Sequence, residues 1–217
     1  MEKIKRFWRE NARILLALGA VLAFCAVLPV MFAATAVPTG SWGLSFRTEG
    51  QPPVGNATAG ALRQYDAVYV GDTEEKVLYL TFDAGYEAGY TEQILDVLKK
   101  HDVKAAFFVV GTYIENNPEL VRRMAEEGHI VGNHTWHHYN MSQIADLQSF
   151  TRELQSVADQ YREATGEEML PYYRPPQGVY SEENLKMAKS LGYRTVFWSL
   201  AYVDWNRDAQ PTPEQAY

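Results

Sequence analysis

The sequence predicts an α/β fold, a parallel sheet or barrel whose strands alternate with amphipathic helices. Three observations carry this expectation. Short β-rich runs recur along the chain, some nearly continuously apolar, as strands covered on both faces must be. Between them lie segments whose apolar residues return at helical spacing. Helix-end signals, with proline just inside a start and glycine just past a stop, fall between the same runs.

Taken in order, the first residues stand apart. Residues 14–37 carry no charge and follow a basic start containing Lys3, Lys5, Arg6, Arg9 and Arg13. This pattern predicts a signal peptide or membrane anchor over 1–37. It exceeds the ~7 to 15 apolar residues of a cleaved signal and suits a membrane span of about 20. Basic residues stay on the cytoplasmic side, so the remainder is expected outside the membrane of a bacterial cell, tethered to it by the N-terminal segment. Residues 38–64, rich in Gly, Pro, Ser and Thr, are expected as an extracytoplasmic linker, and 65–217 as the packed domain.

Within that domain, residues 77–82 predict a strand buried on both faces. A helix is expected over 91–100, with Ile94, Leu95, Val97 and Leu98 in one stripe and Thr91 as its cap. A strand follows at 104–110. Asn117 then caps a helix with Pro118 at its first position and Gly128 past its end. Another strand is expected at 129–132. Ser142 opens a long amphipathic helix through Phe150, Leu154, Val157 and Tyr161 that stops before Gly166. Residues 171–174 predict a fourth strand, Ser181 caps a helix stopped by Gly192, and 194–200 return to strand.

Charge excludes some functions. Of 20 Lys+Arg and 27 Asp+Glu, five and two respectively precede Val37, so the remainder carries 15 against 25. An acidic domain repels phosphate backbones, and nucleic acid is not an expected partner. The single Cys25 lies in the apolar stretch, which excludes a disulfide framework within one chain. A monomer is expected.

In folds of this kind reactive groups gather where strands end. Asp83 follows the first strand, His134 and His138 the third, Arg174 the fourth, and Asp204 with Trp205 the fifth. Each has a plainer use when taken singly: a turn cap for Asp83, polar loop positions for the histidines, a salt bridge for Arg174, core packing for Trp205. Together they fit hydrolysis at a carbonyl. Two imidazoles four positions apart share one face if the turn is helical and can hold one cation. A carboxylate takes the proton of a metal-activated water, an arginine keeps that carboxylate ionised, and a backbone N–H in the turn Pro175-Pro176-Gln177-Gly178 helps to bind the oxyanion.

These residues resemble the motifs of the polysaccharide deacetylases, the NodB homology domain of carbohydrate esterase family four. Thr81-Phe82-Asp83-Ala84-Gly85 is similar to the first motif, His134-Thr135-Trp136-His137-His138 to the second, Arg174-Pro175-Pro176-Gln177-Gly178 to the third, and Val203-Asp204-Trp205 to the end of the fourth. The likeness is strongest to the sporulation-linked branch that deacetylates muramic acid and forms its delta-lactam. It implies a distorted (β/α) barrel and removal of acetyl from N-acetylated sugars of peptidoglycan. It also implies a divalent metal, zinc in the first place, on His134 and His138. Asp83 would be the base and Arg174 its partner, the Gln177 backbone an oxyanion donor, and Asp204 and Trp205 part of the substrate pocket.

Two departures from the pattern stand out. Ala84 occupies the place of a second Asp that usually completes the metal site. The fifth motif, a Leu-x-His that supplies the general acid, has no match before Tyr217, so the barrel is expected to be C-terminally incomplete. A non-catalytic glycan-binding protein and a chitin or xylan deacetylase are the rival readings.

Overall fold

The computed structural model describes residues 39–201, 204–212 and 214. The segment expected to be an anchor or signal, 1–37, lies outside the described residues, and no helix among those described is long and apolar enough to cross a membrane.

The described elements are β1 (Gly40–Ser41), β2 (Leu44–Ser45), β3 (Val54–Gly55), α1 (Ala59–Arg63), β4 (Ala67–Val68), β5 (Thr81–Ala84), α2 (Thr91–Lys100), β6 (Ala106–Val109), α3 (Gly111–Asn116), α4 (Pro118–Glu126), β7 (Ile130–Asn133), α5 (Leu147–Thr165), β8 (Tyr172–Tyr173), β9 (Val179–Tyr180), α6 (Glu182–Ser190) and β10 (Arg194–Val196). Six of the strands form one parallel sheet in the order β4-β10-β8-β7-β6-β5. From β5 to β8 neighbours in space are neighbours in sequence. Helices α2, α4, α5 and α6 touch one another in turn, as successive crossovers of one hand require.

The α/β class holds, but the expected barrel does not close among the described residues. Strands β4 and β5 stand at opposite edges of the sheet, and no described strand pairs with both to join those edges. Edge position also corrects the first predicted strand. Only 81–84 form a ladder, while Val77, Leu78, Tyr79 and Leu80 lie outside it and are exposed, Leu78 by 90%. An apolar run that was expected to be covered on both faces borders the sheet instead.

Helix ends follow the sequence more closely. Pro118 starts α4, Ser181 caps α6 by accepting from the Asn184 N–H, and Gly166 closes α5 at φ 78°. The start of α5 differs: Asp146 caps it, and Ser142 sits in a separate short turn, Met141–Gln143. In α2, Thr91 is the first helical residue rather than the cap. The Glu87 carboxylate accepts from the Gly89, Tyr90 and Thr91 N–H groups in the cap's place.

The described part of the expected linker, residues 39–64, contributes side chains to the core. Trp42, Ala57, Ala61 and Leu62 are buried with Tyr65, Ala67, Tyr180, Leu185 and Phe197 in one apolar cluster. Strand β1 pairs with β9, and the Trp42 indole stacks on Phe197 at 4.7 Å and donates to the Trp198 carbonyl at 2.8 Å. One tryptophan in a Gly-rich stretch supplies the anchoring that composition did not reveal. Trp42→Ala is expected to cost about 3–5 kcal/mol, the usual cost of deleting a buried large aromatic. Urea unfolding checks this, since a true linker would leave the midpoint unchanged.

Candidate active site

The candidate residues stand at the C-terminal ends of β5, β7 and β8, with β6 between β5 and β7 in the sheet. Asp83 pairs in register with Phe108, Phe108 with Gly132, and Asn133 with Tyr173. Gly132 is the opening in this surface. A Cβ there would lie 2.8 Å from the Phe108 ring, so the ring occupies space that any side chain at 132 would claim.

Arg174 lies over that ring, its guanidinium carbon 4.2 Å from the centroid. From the end of β8 it reaches across to β5. Its Nη1 donates to Asp83 Oδ1 at 2.7 Å, Nη2 to Thr81 Oγ1 at 3.0 Å and Nε to the Val196 carbonyl at 3.1 Å. The residue is 3% exposed. Burial pulls its pKa below the ordinary guanidinium value, and Asp83 opposes that pull. A buried charge is tolerated here because its fork is satisfied by a carboxylate, a hydroxyl and a carbonyl.

The Asp83 carboxylate is divided. Oδ1 is tied to Arg174, and Oδ2 faces His134 Nε2 at 3.8 Å. His134 Nδ1 lies 2.8 Å from the Arg174 carbonyl. A carbonyl only accepts, so this contact places the ring proton on Nδ1 and leaves the Nε2 lone pair directed at the site. Burial lowers the His134 pKa to about 4, against the pull of Asp83 and of the Arg174 carbonyl. His138 is lowered too, by burial first, with Asp83 opposing. Both imidazoles are therefore neutral donors at pH 7.

The two rings approach to 5.0 Å between centroids, as the motif spacing led one to expect. The helical turn expected to bring them together is not formed. The segment is a bend in which Thr135 (φ 67°) and His138 (φ 57°) take left-handed conformations. For a β-branched threonine this costs on the order of 1–3 kcal/mol, so hydrogen bonds around the bend must hold it. The Thr135 N–H donates to Asn133 Oδ1 at 3.0 Å, the His138 N–H to Thr135 Oγ1 at 3.1 Å, and the Gly111 N–H to the Thr135 carbonyl at 3.1 Å.

Ala84 does not face the site. It follows Asp83 in a strand, and together with Phe82 it packs on the apolar cluster of Leu95, Phe107 and Val109. Among the described residues no group of three or more His, Cys, Asp or Glu is assembled to hold a metal. His134, whose Nε2 faces Asp83, the His138 ring beside it and the adjacent carboxylate nevertheless fit a cation whose other positions are taken by water or substrate. Of the other histidines, His101 is exposed and His129 is buried beside Phe107. His137 bonds Glu153. None of them joins the two site histidines.

Gln177 stands in the turn Pro176–Gly178 at φ 58°. Asp204 and Trp205 are exposed, Trp205 by 78%, and no hydrogen bond or ring contact among the described residues joins either side chain to Asp83, His134, His138 or Arg174. The tryptophan beside Arg174 is Trp198, its ring 6.0 Å from the guanidinium. Sequence reasoning assigned Trp198 to a strand, and only its closeness to the Arg-Pro-Pro-Gln-Gly turn could have singled it out. A cleft of about 170 Å³ lined by Gly85, Tyr86, Glu87, Thr112, Tyr113 and Asn116 begins two residues past Asp83. It was not foreseen either.

Residues 70–196 match the polysaccharide deacetylase family model. The chain belongs to that family. It is 47% identical over 188 residues to the peptidoglycan-N-acetylmuramic acid deacetylase PdaA of Bacillus subtilis, covering 85% of this chain and 71% of that one. The solved structure of PdaA, a family 4 carbohydrate esterase, superposes with a TM-score of 0.73 over 77% of this chain and 72% of that one. A family 4 pseudoenzyme from Bacillus anthracis, BA3943, is 30% identical with a TM-score of 0.62, over 68% of this chain and 51% of that one. The chain is thus a deacetylase by family, of a class that hydrolyses the amide bonds of acetylated sugars and is generally metal-dependent.

Proposed function

We propose that this protein removes the acetyl group from N-acetylmuramic acid in peptidoglycan, outside the membrane, using a divalent cation held by His134 and His138. The observation that carries the chemistry is the divided carboxylate of Asp83, with one oxygen fixed by Arg174 and the other turned to His134. The choice of sugar is supported by the 47% identity to PdaA.

The bound cation, for which zinc is our choice, would polarise the amide carbonyl and acidify a water. Asp83 Oδ2, the carboxylate oxygen left free by Arg174, is placed to take a proton from a water that attacks the carbonyl carbon. Arg174 fixes the plane of the Asp83 carboxylate through its bond to Oδ1, and the Gln177 N–H donates to the oxygen that gains charge. When the C–N bond breaks, acetate leaves and the amine nitrogen needs a proton. Asp83 is the one group placed among these residues to return it. Asp204 and Trp205, both exposed, would contribute to the side of the pocket open to the glycan. The free amine so formed can close onto the lactyl carboxyl as the delta-lactam, consistent with a sporulation role.

Acetate release from intact peptidoglycan, followed by mass spectrometry of the separated sugars, tests this reading. Loss of acetyl from muramic acid alone is expected. Loss from glucosamine, or activity confined to chitin or xylan, would overturn the substrate. Binding of glycan with no release would favour the non-catalytic reading, for which the likeness to the pseudoenzyme BA3943 is the specific support.

A further inference from the structure

We infer that Glu153 is a positioning residue, which clamps the bend that presents His138. The inference rests on the reading of His138 as a metal ligand and adds to it the part that fixes where the ligand stands.

Glu153 lies inside α5, on a face it shares with the buried residues Phe150, Leu154, Val157 and Tyr161. It is only 9% exposed. An acid in that position needs partners, and both of its oxygens have one. The His137 backbone N–H donates to Oε2 at 3.0 Å, and His137 Nδ1 donates to Oε1 at 2.7 Å. The ring of His137 is also stacked on Tyr139, at 4.8 Å. His137 is therefore not a spare histidine of the motif. It is the handle by which a helix holds the bend.

The neighbouring residue on α5 provides a second point of attachment. Asn133 Nδ2 donates to the Leu154 carbonyl at 2.8 Å, while Asn133 Oδ1 accepts from the Thr135 N–H. Consecutive residues of one helix thus grip the bend at 133 and at 137, on either side of the left-handed Thr135 and immediately before the left-handed His138. With both grips in place the two strained positions are over-determined. With the Glu153 grip gone, His138 is free to relax out of the left-handed region and carry its imidazole away from His134.

Glu153→Ala and Glu153→Gln separate this idea from a general loss of packing. Glutamine preserves both contacts, since its carbonyl accepts from the His137 N–H and its amide donates to Nδ1 of the other imidazole tautomer. Two readouts are used. Amide hydrogen exchange of metal-free protein is expected to speed up at least tenfold at His137 and His138 in Glu153→Ala, and to return to near the wild-type rate in Glu153→Gln. Zinc titration of the same proteins is expected to show affinity lowered by about 10- to 100-fold in the alanine variant and restored in the glutamine variant. Unchanged exchange in Glu153→Ala would overturn the clamp, whatever the zinc result. Absence of zinc binding by the wild type would instead overturn the metal assignment, and the exchange data would still decide the clamp. Should the alanine variant fail to fold, His137→Ala, which keeps the backbone grip and loses the ring contact, is expected to show a smaller acceleration at His138. No acceleration there would contradict the inference.

Discussion

Asp83→Asn lowers the rate of acetate release by about 10²- to 10⁴-fold, the range a positioned general base contributes. The side chain keeps its shape and can still accept from Arg174 Nη1, so positioning is largely retained. What disappears is the capacity of Oδ2, facing His134 at 3.8 Å, to take a proton. The substitution also removes the only carboxylate among the described residues that is bonded to the guanidinium of Arg174, which is 3% exposed. A buried cation without its counter-charge costs stability, by less than the ~3–5 kcal/mol of a fully buried broken pair because the Asp83 side chain is 38% exposed. The rate should therefore be measured at a temperature where circular dichroism shows the variant folded. A rate within threefold of wild type there would remove Asp83 from the chemistry.

Arg174→Lys has the second largest expected effect. A conservative exchange of charge is not conservative here, because the three donors of the fork serve Asp83, Thr81 and the Val196 carbonyl in three directions. An ammonium group on a flexible stem satisfies one of these and leaves the other part-buried acceptors without that partner, at less than the ~1–3 kcal/mol of a fully buried group. The stack on Phe108 is lost as well. We expect acetate release to fall by ten- to a hundredfold and the urea midpoint to fall with an unchanged slope, since the fold survives. Wild-type stability in this variant would mean that Arg174 does not hold the sheet ends together.

Both predictions concern residues that the sequence exposed, and the reason is physical. Asp83, His134, His138 and Arg174 sit where strands give way to loops, and strand patterns are legible from β-rich runs and helix-end residues. Pro118, Ser181 and Gly166 mark their helix ends because capping is a local matter. What escaped depends on contacts distant in sequence. Trp42 belongs to the core because Phe197 and Trp198 receive it, more than 150 positions away. Leu78 is exposed because the ladder of the edge strand begins only at Thr81, which no pattern within the apolar run records. The bend that carries His138 imitates a helical spacing while using left-handed residues, and its hold on Glu153 joins residues 16 apart. Trp205 was read from its motif alone, and the side chain lies exposed on its turn.

The most direct test of the central claim, that Asp83, His134 and His138 act as one metal-dependent hydrolytic site, is acetate release from peptidoglycan by a single preparation measured before chelation, after chelation and after zinc is added back. The account predicts that chelation abolishes release in the wild type and that zinc restores it. It also predicts that zinc restores release in Asp83→Asn only to a level about 10²- to 10⁴-fold below wild type, even though the histidines that hold the cation are intact. Release that continues undiminished after complete removal of metal would contradict it.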